Sequence, residues 1–479
     1  MILGILIYKY VNGTNSLIMN NMKWCDCMIN NKVIINLPNK VDYILNVLNK
    51  NGFEAFIVGG CVRDSLLNKN PNDWDITTNA LPKITAQLFE KSNNRVIETG
   101  LKHGTVTVII DEEMFEITTY RIDGEYLDNR RPQNVKFTLS LEEDLKRRDF
   151  TVNALAYNTS VGLIDNHEGI KDLKGKTIRC VGKADKRFHE DALRMLRAIR
   201  FACQLDFKLD KDISDSLIKN NNLLKNISAE RIRDEFKKIL ISNYPSRGIR
   251  LLMKYNLMKY IIPELYDCKD FNQHNKHHDK DVLEHTLCVL ENTPSKLETR
   301  LAALLHDIAK PKVFTYGDDG QGHFYMHNVV GANMSREILK RLKFDNKTID
   351  KVYILIKKHL IMFRNMDEYT IKKYMRKIGI ENLNDLFNLQ LADLRGSAPE
   401  YRNYDIVLNL KKRCQKIIDE KHPLFIKDLN INGNDLINLG VSKGKTIGII
   451  LEELLDEVFK NPKLNEREKL ISIVKKRYL

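Results

Sequence analysis

Two aspartates one residue apart, Asp73-Trp74-Asp75, come soon after a glycine pair, Gly59-Gly60. On an extended strand, side chains at i and i+2 leave the same side, so both carboxylates would face one way. Two such acids repel each other unless a cation sits between them. Mg²⁺ takes oxygen ligands and keeps substrate phosphates in its shell, so this spacing suits phosphoryl transfer. A lone Asp-x-Asp reads more readily as a surface turn, and a lone Gly-Gly as just a turn. Together they favour chemistry, because adjacent glycines between a strand and a helix let backbone N–H groups approach a phosphate. Glu116, on a later strand, can supply a third acid or form an edge-strand salt bridge, and its spacing does not choose between the two.

A second cluster is Arg147-Arg148-Asp149. The arginines can fork onto triphosphate oxygens, while Asp149 can only accept hydrogen bonds, as a ribose 2′-hydroxyl requires. The plain alternative is a helix start with Asp149 capping Phe150 onward. Asp191 and Arg194 are three apart on a helical run over residues 189–203 and so share a face. They could form an ordinary salt bridge. They could also read the pairing edge shared by cytosine and adenine, an amino donor beside a ring-nitrogen acceptor. Guanine and uracil reverse that order and would leave buried charges unpaired. Arg197 either assists the phosphates or pairs with Asp191.

Eight of the 12 histidines lie between His274 and His359. Neutral imidazole is a common transition-metal ligand. His306-Asp307 is an adjacent pair on an apolar helix, residues 301–308, which suggests a dry, organised site. His103, His167, His189 and His422 read as ordinary polar or surface histidines.

The elements that position these groups follow from the whole chain. Its 479 residues carry 77 Lys+Arg against 63 Asp+Glu, a net charge of +14, and 43% hydrophobic residues. Such a length suggests roughly three domains, and the apolar content excludes wholesale disorder. The basic excess favours a polyanionic partner. No stretch approaches the ~20 apolar residues of a membrane span. Of eight Cys, Cys61, Cys180, Cys203, Cys268, Cys288 and Cys414 are scattered singly, which suits a reducing cytoplasm. Cys25 and Cys27 lack a second pair for a zinc set. The apolar opening, residues 1–7, reads as an over-extended start, with Met19, Met22 or Met28 as the true first residue. Short β-branched strands are expected at residues 55–58, 106–110 and 115–119. Helical periodicity begins near Arg187 and is interrupted by a hairpin-like stretch at 316–324.

Gly59-Gly60-Cys61-Val62-Arg63-Asp64 followed by Asp73-Trp74-Asp75-Ile76 resembles the first motif of class II tRNA nucleotidyltransferases and bacterial poly(A) polymerases, a branch of the DNA polymerase β superfamily. Residues 147–156 resemble its ribose motif, Glu190-Asp191-Ala192-Leu193-Arg194 its base motif, and residues 230–236 the next neck helix. The resemblance implies an α+β nucleotidyltransferase head with a polymerase β-like mixed sheet, followed by an all-α neck, body and tail. Its boundaries would be an extension at 1–32, head at 33–180, neck at 181–245, HD-type domain at 246–400 and RNA-binding tail at 401–479. Asp73, Asp75 and Glu116 would be catalytic, with two Mg²⁺ held by Asp73 and Asp75. Gly59, Gly60, Arg63, Arg147, Arg148 and Asp149 would bind the nucleotide, joined by Asn153, Asp191, Arg194 and Arg197.

The stretch 123–132 resembles the loop that full CCA-adding members use to switch from C to A, which argues against a CC-only variant. Ala202-Cys203-Gln204-Leu205-Asp206-Phe207 lacks the basic signature expected of the poly(A) polymerases. Residues 282–285 and 304–310, with His327, His359 and Asp393, resemble an HD-type metal-dependent phosphohydrolase. That likeness implies a divalent transition metal on His285, His306, Asp307 and Asp393, with His327 and His359 as further ligand or phosphate positions. The domain would be either a tRNA-holding scaffold or an active phosphatase or cyclic phosphodiesterase. The whole reads as a cytoplasmic enzyme adding C, C and A to tRNA 3′ ends from CTP and ATP, with no membrane contact. The alternatives are a poly(A) polymerase and a phosphohydrolase whose head recruits RNA.

Overall fold

The structure, a computed structural model, describes residues 28–29, 32–124, 134–318, 320–360 and 366–479. Cys25, Cys27, the candidate starts Met19 and Met22, and residues 125–132 of the expected switching loop lie outside the described residues. The chain divides into two compact units, with the boundary between Ile227 and Ser228.

In the first unit, α1 (Asn39–Lys50) leads to β1 (Ala55–Val58), and Gly59 then turns the chain into α2 (Gly60–Leu66). β2 (Ile76–Thr78) and α3 (Pro82–Lys91) precede a meander of β3 (Arg95–Gly100), β4 (Thr105–Ile110) and β5 (Glu113–Thr119). A hairpin of β6 (Arg121–Asp123) and β7 (Val135–Phe137), then α4 (Leu141–Lys146), precede β8 (Ala156–Asn158) and β9 (Gly162–Ile164). Seven strands form one mixed sheet in the order β9-β8-β1-β2-β5-β4-β3. Its parallel pair is β2 with β5, in which Ile76 aligns with Ile117.

The sheet follows from side-chain pattern. All four residues of β1 are buried, as expected for a continuous apolar run in a central strand. β5 alternates, with Phe115, Ile117 and Thr119 buried and Glu116 exposed, so one face joins the core and the other stays open. On α1, Val41, Ile44, Leu45 and Leu48 recur at helical spacing and are buried. α3 starts with a proline in its first turn and packs against α1, β3 and β4.

The next elements are α5 (Gly169–Lys174), α6 (Ala184–Glu190), α7 (Leu193–Leu205) and α8 (Lys211–Asn220). The helix expected over 189–203 is therefore broken. Asp191 has extended backbone (φ −142°, ψ 106°), and its carboxylate accepts from the Leu193 amide at 3.1 Å. Aspartate competes well for backbone N–H groups, so it ends one helix and starts another rather than sitting inside either.

The second unit is helical: α9 (Ala229–Leu240), α10 (Pro245–Lys254), α11 (Val282–Glu291), α12 (Leu297–Leu305), α13 (His327–Arg341) and α14 (Asn346–Lys358). α15 (Glu368–Ile378), α16 (Ile380–Gly396), α17 (Tyr404–Asp419), α18 (Gly433–Asn438), α19 (Lys445–Lys460) and α20 (Arg467–Tyr478) complete it. The expected interruption is a small hairpin, β10 (Thr315–Tyr316) paired antiparallel with β11 (Gly322–His323). α12 ends at Leu305, so His306 and Asp307 lie just beyond the helix that the apolar run suggested would contain them. Among the described residues no helix is long and apolar enough to cross a membrane.

Gly169 is a packing constraint on the head. A Cβ there would lie 2.4 Å from the Thr151 carbonyl oxygen, and Thr151 Oγ1 donates to Asp172 at 2.6 Å. The contact fixes the Thr151–Asn153 turn beneath Asn153. Gly169→Ala is expected to destabilise the protein by about 1–3 kcal/mol, the usual cost of overpacking, as a lower urea midpoint with unchanged slope.

Candidate active sites

The glycine pair follows β1, the aspartates precede β2, and Glu116 lies on the neighbouring strand β5 of the head sheet. Gly59 has φ +84°, a region L side chains rarely adopt. A Cβ on Gly59 would meet Arg148 Nη1 at 3.2 Å. Asp73 and Asp75 are not on a strand as their spacing suggested, because β2 begins only at Ile76. Pro71 and Asn72 keep this approach irregular. Even so, the Val58 amide donates to the Asp75 carbonyl at 3.0 Å, so Asp75 stays anchored to β1. Carrying the β2–β5 register back one residue sets Asp75 beside Glu116, both on the face opposite the buried pair Ile76 and Ile117. β5 lies between β2 and β4, which removes the edge-strand reading of Glu116. Desolvation raises the Asp75 carboxyl; Arg148 opposes that rise and the charge of Asp73 adds to it. Acids that repel in this way fit hard divalent cations.

Behind them lies a lattice of arginines held by carboxylates. Asp144 is fully buried and accepts from Arg147 at 2.8 and 3.0 Å and from Arg148 at 3.4 Å. Burial works against its charge, but Arg147 and Arg148 hold the carboxyl below its ordinary range. Arg63 forks onto Asp64 with two contacts of 2.9 Å and donates to Asn153 Oδ1 at 2.6 Å. Asn153 reaches Asp149 Oδ1 at 3.4 Å. Arg197, left between two readings by the sequence, pairs with Asp149, its Nε 2.7 Å from Oδ2. Burial opposes that charge too, yet Arg197 and Arg194 bring the Asp149 carboxyl down to about 2. Asp149 also accepts from the Phe150 amide at 2.9 Å, but the Thr151–Asn153 turn that follows starts from Phe150 and has no side-chain cap, so the capping alternative is not met.

Arg194 donates to Glu190 Oε2 at 2.8 Å and to the Arg147 carbonyl at 3.2 Å. Glu190 also accepts from Arg187 at 2.7 Å. A cleft of about 680 Å³ is lined by Asp123, Lys146, Arg147, Lys186, Arg187 and Glu190. Asp144 and Glu190 had no assigned role in the sequence reading. Their spacing of three or four residues from the arginines they hold was the available signal.

The histidine cluster of the second unit closes into one centre. His285 Nε2 lies 3.0 Å from Asp393 Oδ1 and 3.3 Å from His306 Nε2. His306 Nε2 lies 3.1 Å from Asp307 Oδ2, and His327 Nε2 lies 3.5 Å from Asp307 Oδ1. His285, His306, Asp307 and His359 are nearly inaccessible. The Nδ1 atoms of His306, His327 and His359 sit 2.8, 2.7 and 2.7 Å from the carbonyls of Ala303, Phe324 and Ile356. A carbonyl only accepts, so each ring carries a proton on Nδ1 and leaves Nε2 as the atom that a cation could take. Imidazole nitrogens gathered with carboxylate oxygens suit a divalent transition metal.

Burial and the nearby Lys310 push His278 down to about 3, and burial and His306 push His359 down to about 3. Burial opposes the charge on Asp393, but the hydrogen bond from His285 holds its carboxyl far below the usual range. Lys310 Nζ contacts Asp307 Oδ2 at 2.8 Å and Gln273 Oε1 at 2.7 Å. Gln273 did not stand out in the sequence, and His278 did so only as one of the eight clustered histidines.

Comparison with known proteins places these features in families. The model of the "Poly A polymerase head domain" matches residues 55–179. "Probable RNA and SrmB- binding site of polymerase A" matches 206–268, and "HD domain" matches 277–423. The chain is 36% identical to the CCA-adding enzyme of Ligilactobacillus salivarius (strain UCC118) over 454 residues, covering 93% of this chain and 98% of that protein. It is 35% identical to the CCA-adding enzyme of Lactobacillus johnsonii over 417 residues, covering 86% and 90%. The solved CCA-adding enzyme of Bacillus stearothermophilus in complex with CTP superposes with a TM-score of 0.68 at 27% identity, over 91% of this chain and 97% of that one.

The Asp149–Arg197 pair makes a pH-dependent contribution. With Asp149 near 2 in the fold and about 3.9 when unfolded, its stabilisation is full above that unfolded value and fades as pH falls toward 2. Arg197→Ala is expected to lower stability by about 1–3 kcal/mol at neutral pH. The deficit should shrink when urea unfolding is repeated at about pH 3.

Proposed function

The chain belongs to the CCA-adding enzyme family, and on that premise we propose that it builds the 3′-terminal CCA of tRNA from CTP and ATP without a nucleic-acid template. The observation that carries this reading is Asp75, held to β1 through its carbonyl with the charge of Asp73 beside it, and with Arg148 acting on its carboxyl and lying over Gly59. Asp73, Asp75 and Glu116 would hold divalent cations, and their hard oxygen donors fit two Mg²⁺. Bound there, the ions lower the pKa of the primer 3′-hydroxyl and neutralise charge on the departing pyrophosphate. The 3′-oxygen bonds to the α-phosphorus as the α–β bridging P–O bond breaks.

The other residues position the nucleotide. Gly59 and Gly60 leave room for the phosphates, and Arg63, Arg147 and Arg148 donate to their oxygens. Each arginine already rests on a carboxylate, which fixes its plane. Asp149 already accepts from Arg197, Phe150 and Asn153, and a ribose 2′-hydroxyl would take the place of the long Asn153 contact. Asp191 and Arg194 read the shared edge of cytosine and adenine, with Glu190 orienting Arg194. A-only addition is not favoured, since the long-range relatives are CCA-adding enzymes.

A second activity is supported by the convergent histidines. His285, His306, Asp307 and Asp393 would hold a divalent transition metal, with His327 and His359 beside them, in a phosphohydrolase centre. Bound there, such an ion polarises a phosphate ester toward water. The chain's own part is to keep the ligand tautomers fixed and the site dry.

Supplying tRNA that lacks CCA with each NTP singly tests the first reading. CMP should add from CTP alone, and AMP only after both cytidines; repeated AMP addition without CMP would overturn it. Asp75→Ala is expected to reduce incorporation of either nucleotide by at least a hundredfold, measured on end-labelled tRNA. His306→Ala should instead lose bound transition metal, read by elemental analysis, together with phosphate release, and keep CMP incorporation.

A further inference from the structure

Phe201 is buried on α7, four residues after Arg197 and directly after Arg200. Three guanidinium groups lie over its ring: the central carbon of Arg200 is 4.2 Å from the ring centroid, that of Arg63 5.2 Å and that of Arg197 5.6 Å. Phe150 meets the same ring edge-on, with centroids 5.7 Å apart and planes at 78°. A cation within about 6 Å of an aromatic centroid is drawn to the ring, more strongly where water is excluded. Arg63 and Arg200 are themselves buried, so these contacts are nearly dry.

Arg197 and Phe201 share a helix face through their spacing, but Arg63 comes from α2 and Phe150 from the segment that carries Asp149. One ring is therefore common to segments far apart in sequence. Two of the arginines over it serve different parts of the nucleotide. Arg63 is a phosphate donor, and Arg197 holds the ribose acceptor Asp149, with contacts of 2.5 and 2.7 Å to Oδ2. Polar groups join them as well, since Arg63 donates to Asn153 and Asn153 reaches Asp149. Carboxylate and ring constrain different motions. Hydrogen bonds to a carboxylate fix a guanidinium along one edge, and an aromatic ring under it opposes swinging about that edge. Phe201 supplies this second constraint to Arg63 and Arg197 at once.

We propose that Phe201 is a positioning residue of the nucleotidyl-transfer site: its ring sets Arg63 against the triphosphate and, through Arg197, Asp149 against the ribose 2′-hydroxyl. This rests on the nucleotidyltransferase reading and gives the phosphate and ribose parts of that site one apolar support. Base choice belongs to a different pair, Asp191 and Arg194, and survives changes at the ring.

Phe201→Leu in the full-length protein tests this, because leucine keeps an apolar side chain and removes the aromatic ring. On tRNA lacking CCA, KM for CTP should rise about fivefold with kcat within about twofold of wild type. KM for ATP on tRNA ending in the two cytidines should rise by a similar factor. The ratio of kcat/KM for CTP to that for dCTP should fall about fivefold, while the ratio for CTP to UTP keeps its wild-type value. An unchanged CTP-to-dCTP ratio overturns the proposal. Equal loss of the CTP-to-UTP ratio also overturns it, since a site loosened as a whole would show that. Phe89→Leu, at a fully buried position on α3, measures general destabilisation: it should lower the urea midpoint and leave both ratios unchanged. A fall in its CTP-to-dCTP ratio matching that of Phe201→Leu overturns the proposal. If Phe201→Leu does not fold, Phe201→Met is read in the same way. Failure of the wild-type protein to add CMP overturns the nucleotidyltransferase reading instead, and the calorimetric Kd ratio of CTP to dCTP in wild type and variant then decides the role of the ring.

Discussion

A carboxylate that water does not reach, Asp144, holds the head together as a chemical device. Its charge is tolerable only because Arg147 and Arg148 close over it. That requirement fixes two guanidinium groups at the end of α4, one of them over Gly59 and close to Asp75. Asp149 repeats the device with Arg197, and Asp64 with Arg63. Each arginine is thereby oriented before any anion arrives, and a polar group set in advance loses little freedom on binding.

The two units answer the problem of buried charge in opposite ways. The head lines its site with arginines braced by acids and leaves Asp73 and Glu116 exposed at its mouth. The helical unit draws acids and imidazoles inward, with most of them nearly inaccessible. The first arrangement suits a large polyanionic substrate that enters and departs. The second suits an ion kept in place.

Much of this was legible in the residues. The strands at 55–58, 106–110 and 115–119 carry apolar runs or alternation strong enough to fix their place, and the hairpin near 316–324 is marked by its glycines. The acid pair, the arginine pair and the His-Asp pair were visible as local spacings. What stayed hidden depends on contacts between distant segments. The pairing of Arg197 with Asp149, rather than with Asp191 or the phosphates as its spacing suggested, depends on how α7 meets the turn before Thr151. The place of Glu116 depends on a parallel register across forty residues of sequence, which local periodicity does not encode. The helix break at Asp191 is a local competition for backbone amides, and the strong apolar pattern on either side masks it.

The carbonyls of Ala303, Phe324 and Ile356 each lie three residues before the histidine they hold. The proton on the His306 and His359 rings is therefore set by the winding at a helix end, and that on His327 by a tight turn through Met326 at φ +59°, with no help from any distant partner. Once those three turns have formed, the coordinating nitrogens already point inward. Assembly of the nest is thus inherited from secondary structure, and an arriving ion finds its ligands aimed rather than having to gather them.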